Sequence, residues 1–172
     1  RILVAVIYTG MGLPPVVVGL VVYLFLSRSG ALGDLSWLFS MRAMIIAQTI
    51  IATPLIIGVT MSSVMGVDPM LRPQLRTLGA TSLQVTLAQL WEARAGVIVG
   101  IVAGFGSIIS EVGAVMLVGG NIAGRTRVLT TAVVLETRQG NFDLALAFGI
   151  ILLSLSFTAN FLVVALQGRI TR

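Results

Sequence analysis

The sequence predicts an all-α, polytopic membrane protein, and three observations lead to this prediction. The chain has 172 residues, of which 57% are hydrophobic and only 10% charged, whereas soluble domains are about a quarter charged. Its mean hydropathy is +1.06. A membrane-spanning helix needs about 20 apolar residues, and four stretches are long enough: residues 2–26, 43–65, 95–118 and 144–166. We therefore expect four spans in a single transmembrane domain, residues 1–172.

The first stretch is uncharged and contains two adjacent prolines, Pro14 and Pro15. It is too long for a signal peptide, and no small-residue cleavage site follows it. Each proline removes a backbone hydrogen bond, so we expect a kink or an unwound turn at this point. The chain opens on Arg1 instead of Met, and we therefore expect further residues upstream.

The second stretch is also uncharged and leads into an organised loop, residues 66–94. The pair Asp68-Pro69 is a typical helix start. Thr81 or Ser82 can cap a second helix, and Gly79 lies between the two helices. The loop therefore predicts two short helices with a glycine bend between them.

Three glycines share one face of the helix predicted in the third stretch, because they follow one another at a spacing of four. They are Gly96, Gly100 and Gly104. Such a face lets a second backbone approach closely. Helix packing is the ordinary explanation, and a pathway helix that slides along its partner is the alternative.

Glu111 is the one charged residue within the four stretches. A carboxylate inside a membrane costs a few kcal/mol unless it faces protein or water. One explanation is pairing with Arg125 or Arg127 near the membrane surface, and the other is a gate. These two arginines, with Asn121 beside them, are donors that attract an oxyanion, and interfacial anchoring explains them equally.

Several classes of function are disfavoured by what the sequence lacks. It contains no Cys and no His, and it has no Walker A sequence, no paired acids at metal spacing and no nucleophile elbow. We therefore expect no catalytic residue, no metal and no cofactor. The basic residues are 11 arginines dispersed between the spans, which is typical of membrane flanks and not of a nucleic-acid surface. They are divided almost evenly between the two sides, so charge bias leaves the orientation open.

The organised loop followed by a glycine-rich span resembles the inner-membrane permease subunits of type I ABC importers. Leu78-Gly79-Ala80 matches the glycine part of their cytoplasmic signature, whereas Pro73-Gln74-Leu75 and Trp91-Glu92 stand where Glu-Ala-Ala and Leu-Pro are usual. The resemblance assigns the following residues to the loop that couples to the ATPase: Arg76, Leu78, Gly79, Ala80 and Thr81.

A more specific resemblance lies downstream. The segments that carry it are Phe105-Gly106, Ser110 to Ala114, Gly119-Gly120-Asn121-Ile122 and Thr126-Arg127. They are similar to the molybdate and tungstate permeases. Gly12-Leu13-Pro14-Pro15 and Leu129-Thr130-Thr131-Ala132 look like the tungstate branch. The residues that we expect at a gate or subunit interface are Glu111, Gly113, Asn121, Arg125 and Arg127.

This resemblance implies the permease of an ATP-driven tungstate or related oxyanion importer in the cell inner membrane. Its partners would be a second copy in a homodimer, cytoplasmic ABC ATPase subunits, an extracytoplasmic oxyanion-binding protein and membrane lipid, with no nucleic acid. The loop at 66–94 would be cytoplasmic, residues 119–143 would face outward, and one more span would precede the first. A molybdate or sulfate permease of the same type, or a membrane scaffold without transport, is the alternative.

Overall fold

The computed structural model describes residues 2–170, except for the side chains of Leu3 and residues 166–170. The predicted domain also includes Arg1, Thr171 and Arg172, which lie outside the described residues. Within the described part the regular structure is entirely helical, so the all-α fold class is confirmed. The α-helices in chain order are α1 Ile2–Met11, α2 Pro15–Leu26, α3 Met41–Met65, α4 Leu71–Thr77, α5 Ser82–Glu92, α6 Arg94–Ile109, α7 Gly113–Gly119, α8 Leu129–Gln139 and α9 Phe142–Ile170.

Two helices of the described part are by themselves long and apolar enough to cross a membrane. These are α3, with 25 residues, and the Phe142–Ala165 part of α9, with 24. Two helix pairs also qualify if each bent pair is one span: Val4–Met11 with α2, bent by 103°, and α5 with α6, bent by 69°. The helices therefore provide between two and four candidate spans.

The bend between α1 and α2 has its cause in the two adjacent prolines. Pro14 is extended, with φ −63° and ψ 122°, and Pro15 is the first residue of α2. Proline suits a first helical position because its missing N–H has no partner there in any case. The kink predicted from the sequence is thus an elbow between two separate helices.

The α6 helix packs against α3 through the three glycines. Gly96 lies beside Ser63, Gly100 beside Ile56, and Gly104 also beside Ile56. A Cβ at Gly100 would lie 3.2 Å from the Ile56 carbonyl oxygen. This order of contacts makes the two helices antiparallel, with the glycines as the surface of close approach.

The core of the described part joins α2, α3 and α7. It consists of Val18, Val22 and Leu26 from α2, Ala43, Met44 and Ala47 from α3, and Ala114, Val115 and Val118 from α7. The α2 and α7 helices approach so closely that a Cβ at Gly19 would lie 2.6 Å from the Ala114 Cα. Small residues at this crossing bring the backbones together, as is usual where helices pack inside a membrane.

The structure differs from the prediction of one continuous helix over residues 95–118. The α6 helix ends at Ile109, and α7 begins at Gly113. The Ser110 hydroxyl donates to the carbonyl of Gly106, 3.0 Å away, and the Glu111 carboxylate accepts from the Ala114 N–H, also at 3.0 Å. The Gly106 carbonyl also keeps its helical bond from the Ser110 N–H, at 3.3 Å. The Glu111 carboxylate satisfies the Ala114 N–H, which a continuous helix would have paired with the Ser110 carbonyl.

A second feature lies in residues 119–143, for which the sequence predicts an outward position and no particular secondary structure. They contain α8, which packs along the first part of α9 as a helical hairpin. The turn between the two helices uses Gly140 in a left-handed conformation, with φ +79°.

Candidate functional site

The loop between α3 and α6 consists of two short helices, α4 and α5, with a glycine turn between them. Gly79 adopts φ +86°, a conformation that side chains disfavour. The Thr81 hydroxyl accepts from the Gln84 N–H at 3.4 Å, and the Gln84 side chain accepts from the Thr81 N–H at 2.8 Å. This reciprocal capping box begins α5 at Ser82.

The first loop helix begins later than the Asp68-Pro69 pair predicts. The Asp68 carboxylate accepts from the Met70 N–H at 2.8 Å, which forms a turn ahead of the helix. The α4 helix then begins at Leu71 and has Pro73 in its first turn. Arg76 lies in the last turn, where a cation interacts favourably with the helix dipole.

The loop presents a large apolar surface that its own chain leaves uncovered. Leu78 is 83% exposed, and on α5 Leu83 and Trp91 are each 70% exposed. Leu87 is exposed on the same helix, and the Arg94 guanidinium lies 5.4 Å from the Trp91 ring centroid. An exposed apolar surface of this kind, next to charged groups, marks an interaction site.

Two of the five residues expected at a gate line one cavity. Glu111 and Arg127 are part of the wall of a space of about 540 Å³ between α3, α6, α8 and α9. The remaining polar wall comes from Gln48 and Thr130, and the rest is mainly apolar. The structure therefore brings a carboxylate, a guanidinium, an amide and a hydroxyl to the interruption between α6 and α7.

Glu111 is held by backbone groups. Its Oε1 accepts from the Ala114 N–H, and its carbonyl oxygen accepts from the Thr130 hydroxyl at 3.3 Å. Among the contacts of the described residues there is no ion pair between Glu111 and Arg125 or Arg127. Its interactions are therefore those of a residue that joins α7 to α8.

The other three expected gate residues lie elsewhere. Gly113 packs against α2, where an added Cβ would lie 2.6 Å from the Val16 Cγ2 atom. Asn121 is in the left-handed region, with φ +49°, and its carbonyl oxygen accepts from the Arg127 guanidinium at 3.5 Å. Arg125 is exposed on the same loop.

This loop is anchored by a threonine that the sequence analysis did not select as a site residue. Thr126 is buried. Its hydroxyl donates to the Gly119 carbonyl at 2.6 Å and accepts from the Ile122 N–H at 2.9 Å. Two hydrogen bonds to a buried hydroxyl fix the turn that carries Asn121 and both arginines.

Gln48, in the first half of α3, is a second polar residue at this site that was not predicted from the sequence. Its side-chain amide donates to the Ile108 carbonyl at 3.2 Å and thereby connects α3 to the end of α6. The available signal was the one side-chain amide within this span, since strongly polar residues in a span usually face the interior of the protein or a water-filled cavity. The search for charged residues overlooked it.

Comparison with known proteins gives consistent results along the whole sequence. Residues 1–172 match the family described as the inner membrane component of binding-protein-dependent transport systems. The chain is 46% identical over 164 residues to a probable anion ABC transporter permease of Haloferax volcanii. These aligned residues cover 92% of this chain and 71% of that protein. The chain is 42% identical over 167 residues to a tungstate uptake system permease of Peptoclostridium acidaminophilum, covering 97% and 73%.

A molybdenum transport system permease of Escherichia coli K12 is more distant. It is 32% identical over 136 residues, which cover 74% of this chain and 59% of that protein. No solved structure matches the chain at a significant level.

Proposed function

Because the chain belongs to the family of inner membrane components of binding-protein-dependent transport systems, we propose that it is the permease of an ATP-driven uptake system for tungstate or a related oxyanion. The observation that carries this substrate is the 42% identity to a tungstate uptake permease over 97% of the chain. Identity over that length includes the loop between α3 and α6 and the interruption between α6 and α7.

ATP hydrolysis belongs to a separate cytoplasmic ATPase subunit in this proposal. The chain supplies the docking surface, which is the exposed apolar part of α5 and of the turn before it, with Leu78, Leu83 and Trp91. The coupling residues Arg76, Leu78, Gly79, Ala80 and Thr81 lie at the turn between these helices. The residues at this turn convert movement of the ATPase into movement of α3, which precedes the loop, and of α6, which follows it.

Transport follows from alternating access at the axis of a homodimer surrounded by membrane lipid. The loop at 66–94 faces the cytoplasm, and residues 119–143 face the extracytoplasmic binding protein that delivers the anion. Glu111 lies at the interruption between α6 and α7 and acts at the gate together with Arg127, since both line the same cavity. A conducting path must bind its ion weakly enough for release.

The test is ATP hydrolysis by the permease reconstituted in lipid vesicles with its ATPase and binding protein. Tungstate, molybdate and sulfate are compared as the anion loaded on the binding protein. We expect the largest stimulation with tungstate. Stimulation by molybdate or sulfate alone would reassign the substrate, and a permease that binds no ATPase would support a membrane scaffold in its place.

A further inference from the structure

The first half of α3 carries polar side chains where a membrane-spanning helix usually carries apolar ones. Gln48 and Thr49 are adjacent, and Thr53 follows one turn later. Residues four apart lie on one helix face, so Thr49 and Thr53 share a face, and both are exposed in this chain. The α6 helix contacts this side of α3 through the glycines and through the bond from Gln48 to the Ile108 carbonyl, and it ends at Ile109, which leaves Thr49 and Thr53 uncovered.

A cavity of about 380 Å³ lies along this uncovered face. Its wall contains Gln48, Thr49 and Thr53, and every other lining residue is apolar: Ile45, Ala52, Ile56 and Ile108. Gln48 and Ile108 also line the cavity of about 540 Å³ that contains Glu111 and Arg127. The two spaces are therefore neighbours on either side of the bond between Gln48 and Ile108.

The side chains in the smaller cavity are neutral hydrogen-bonding groups. The Thr49 hydroxyl donates to the Ile45 carbonyl at 2.8 Å, and the Thr53 hydroxyl donates to the Thr49 carbonyl at 2.6 Å. Exchanging such a bond for one to another acceptor changes the free energy by only about 1 kcal/mol. These hydroxyls can therefore turn toward an anion that passes and return to their own helix when it has left.

We propose that the face of α3 formed by Gln48, Thr49 and Thr53 lines the path along which the oxyanion crosses the membrane. This inference rests on the proposed transport function. Amide and hydroxyl groups donate hydrogen bonds to the oxygens of a tetrahedral dianion without holding it as a fixed cation would. Weak binding at neutral donors permits release, which conduction requires.

The chain also contains a threonine that serves as a matched control. Thr158 is exposed in α9, and its hydroxyl donates to the Ser154 carbonyl four residues earlier at 2.7 Å. Bonding to the same helix in this way lets a threonine face lipid without an unsatisfied hydroxyl. Thr158 therefore has the local geometry of Thr49 and Thr53, but it lies outside both cavities.

The experiment uses single cysteines, for which this sequence is well suited because its 172 residues contain no Cys. Thr49→Cys, Thr53→Cys and Thr158→Cys are prepared in the complex with the ATPase and binding protein. Each is treated with 2-sulfonatoethyl methanethiosulfonate, whose sulfonate is itself a tetrahedral oxyanion, and labelling is read on the separated permease chain. Thiols must ionise to react, so the rate reports contact with water.

We expect both α3 cysteines to react at least about tenfold faster than the α9 cysteine, because a charged reagent enters hydrocarbon poorly. Tungstate added with the loaded binding protein and ATP should slow their labelling. Rates within about twofold of the Thr158→Cys rate would overturn the inference. Gel filtration and ATPase binding establish that each variant is folded and assembled.

The two assays distinguish a wrong substrate from a wrong location of the path. If the complex with the unsubstituted permease shows no stimulation of ATP hydrolysis by tungstate, the proposed substrate is wrong. The labelling rates still decide whether α3 faces a water-filled path. If tungstate stimulates hydrolysis and the α3 cysteines label no faster than the control, the transport function stands and the path lies on another helix.

Discussion

The crossing of α2 and α7 gives the sharpest prediction of stability. In Gly19→Ala the new methyl carbon would lie 2.6 Å from the Ala114 Cα and 3.3 Å from the Ala114 carbonyl oxygen. Ordinary contacts begin at 3.4 Å, so the helices must separate locally by 3.4 minus 2.6, or 0.8 Å. The nearest atom belongs to the backbone, and a side-chain rotation therefore cannot relieve the overlap.

The change in stability caused by Gly19→Ala is the sum of two opposing effects. Overpacking of a tight core costs about 1–3 kcal/mol, and replacement of glycine by alanine within a helix returns about 1 kcal/mol. The difference is a net loss of about 0–2 kcal/mol, and each kcal/mol corresponds to about 2–4 °C in a globular chain of this size. Thermal unfolding of the purified protein in detergent, followed by circular dichroism at 222 nm, measures the change.

Gly149→Ala is the matched control, because a Cβ at Gly149 in α9 meets no atom within 4 Å. We expect this variant to unfold at the natural temperature or slightly above it. If Gly19→Ala were as stable as Gly149→Ala, the close approach of α2 to α7 would be wrong.

Three further predictions concern the loops and the gate. Gly79→Val should reduce co-purification of the ATPase severalfold, because a β-branched residue disfavours φ +86°, whereas Gly79→Asn should retain it. Glu111→Gln keeps an acceptor for the Ala114 N–H, so the variant should fold normally. It should raise ATP hydrolysis in the absence of the binding protein and reduce the stimulation of hydrolysis by the loaded binding protein. Unchanged rates in both assays would exclude Glu111 from the gate. Thr126→Val removes the partner of the Gly119 carbonyl and of the Ile122 N–H and should cost about 2–4 kcal/mol in thermal unfolding. Thr126→Ser should cost about 1 kcal/mol or less, and equal losses would contradict a role for the hydroxyl.

Composition was sufficient to predict the membrane class and the helical fold, because the bilayer admits few ways of satisfying backbone groups. The two-helix loop was predictable for a local reason. Gly79 and the pair formed by Thr81 and Gln84 determine the turn and the cap within a few residues. Signals of this kind do not depend on distant contacts.

The interruption between α6 and α7 was not predictable from hydropathy, because residues 95–118 are almost uniformly apolar. Its position depends on contacts far along the chain. Gln48 donates to the Ile108 carbonyl, and Thr130 donates to the Glu111 carbonyl. Pairing of Glu111 with Arg125 or Arg127 was expected because these arginines are near in sequence. In the structure the Glu111 carboxylate accepts instead from a backbone group, the Ala114 N–H.

The α8 helix was missed for a different reason. Its residues have a mixed polar character, and Thr130 and Thr131 look like loop residues. In the structure the Thr131 hydroxyl accepts from the Val128 N–H at 3.1 Å and donates to the Val128 carbonyl at 3.0 Å. Both threonines are buried at the beginning of the helix. Side chains that satisfy backbone groups at a helix start permit polar residues where hydropathy predicts a loop.

The long final helix is a segment that the rest of this chain leaves almost uncovered. In the most apolar 18-residue window of Phe142–Ala165, no residue is buried inside the chain. Shape complementarity within this chain therefore places little constraint on those positions, and hydropathy is the property that substitutions must preserve. Exchanges among leucine, isoleucine, valine and phenylalanine should be nearly neutral there, whereas the same exchanges at Val115 or Val118 would alter a filled core. A library that randomises both regions among apolar residues would show this difference directly. A larger fraction of substitutions should be tolerated in α9 than at the core positions.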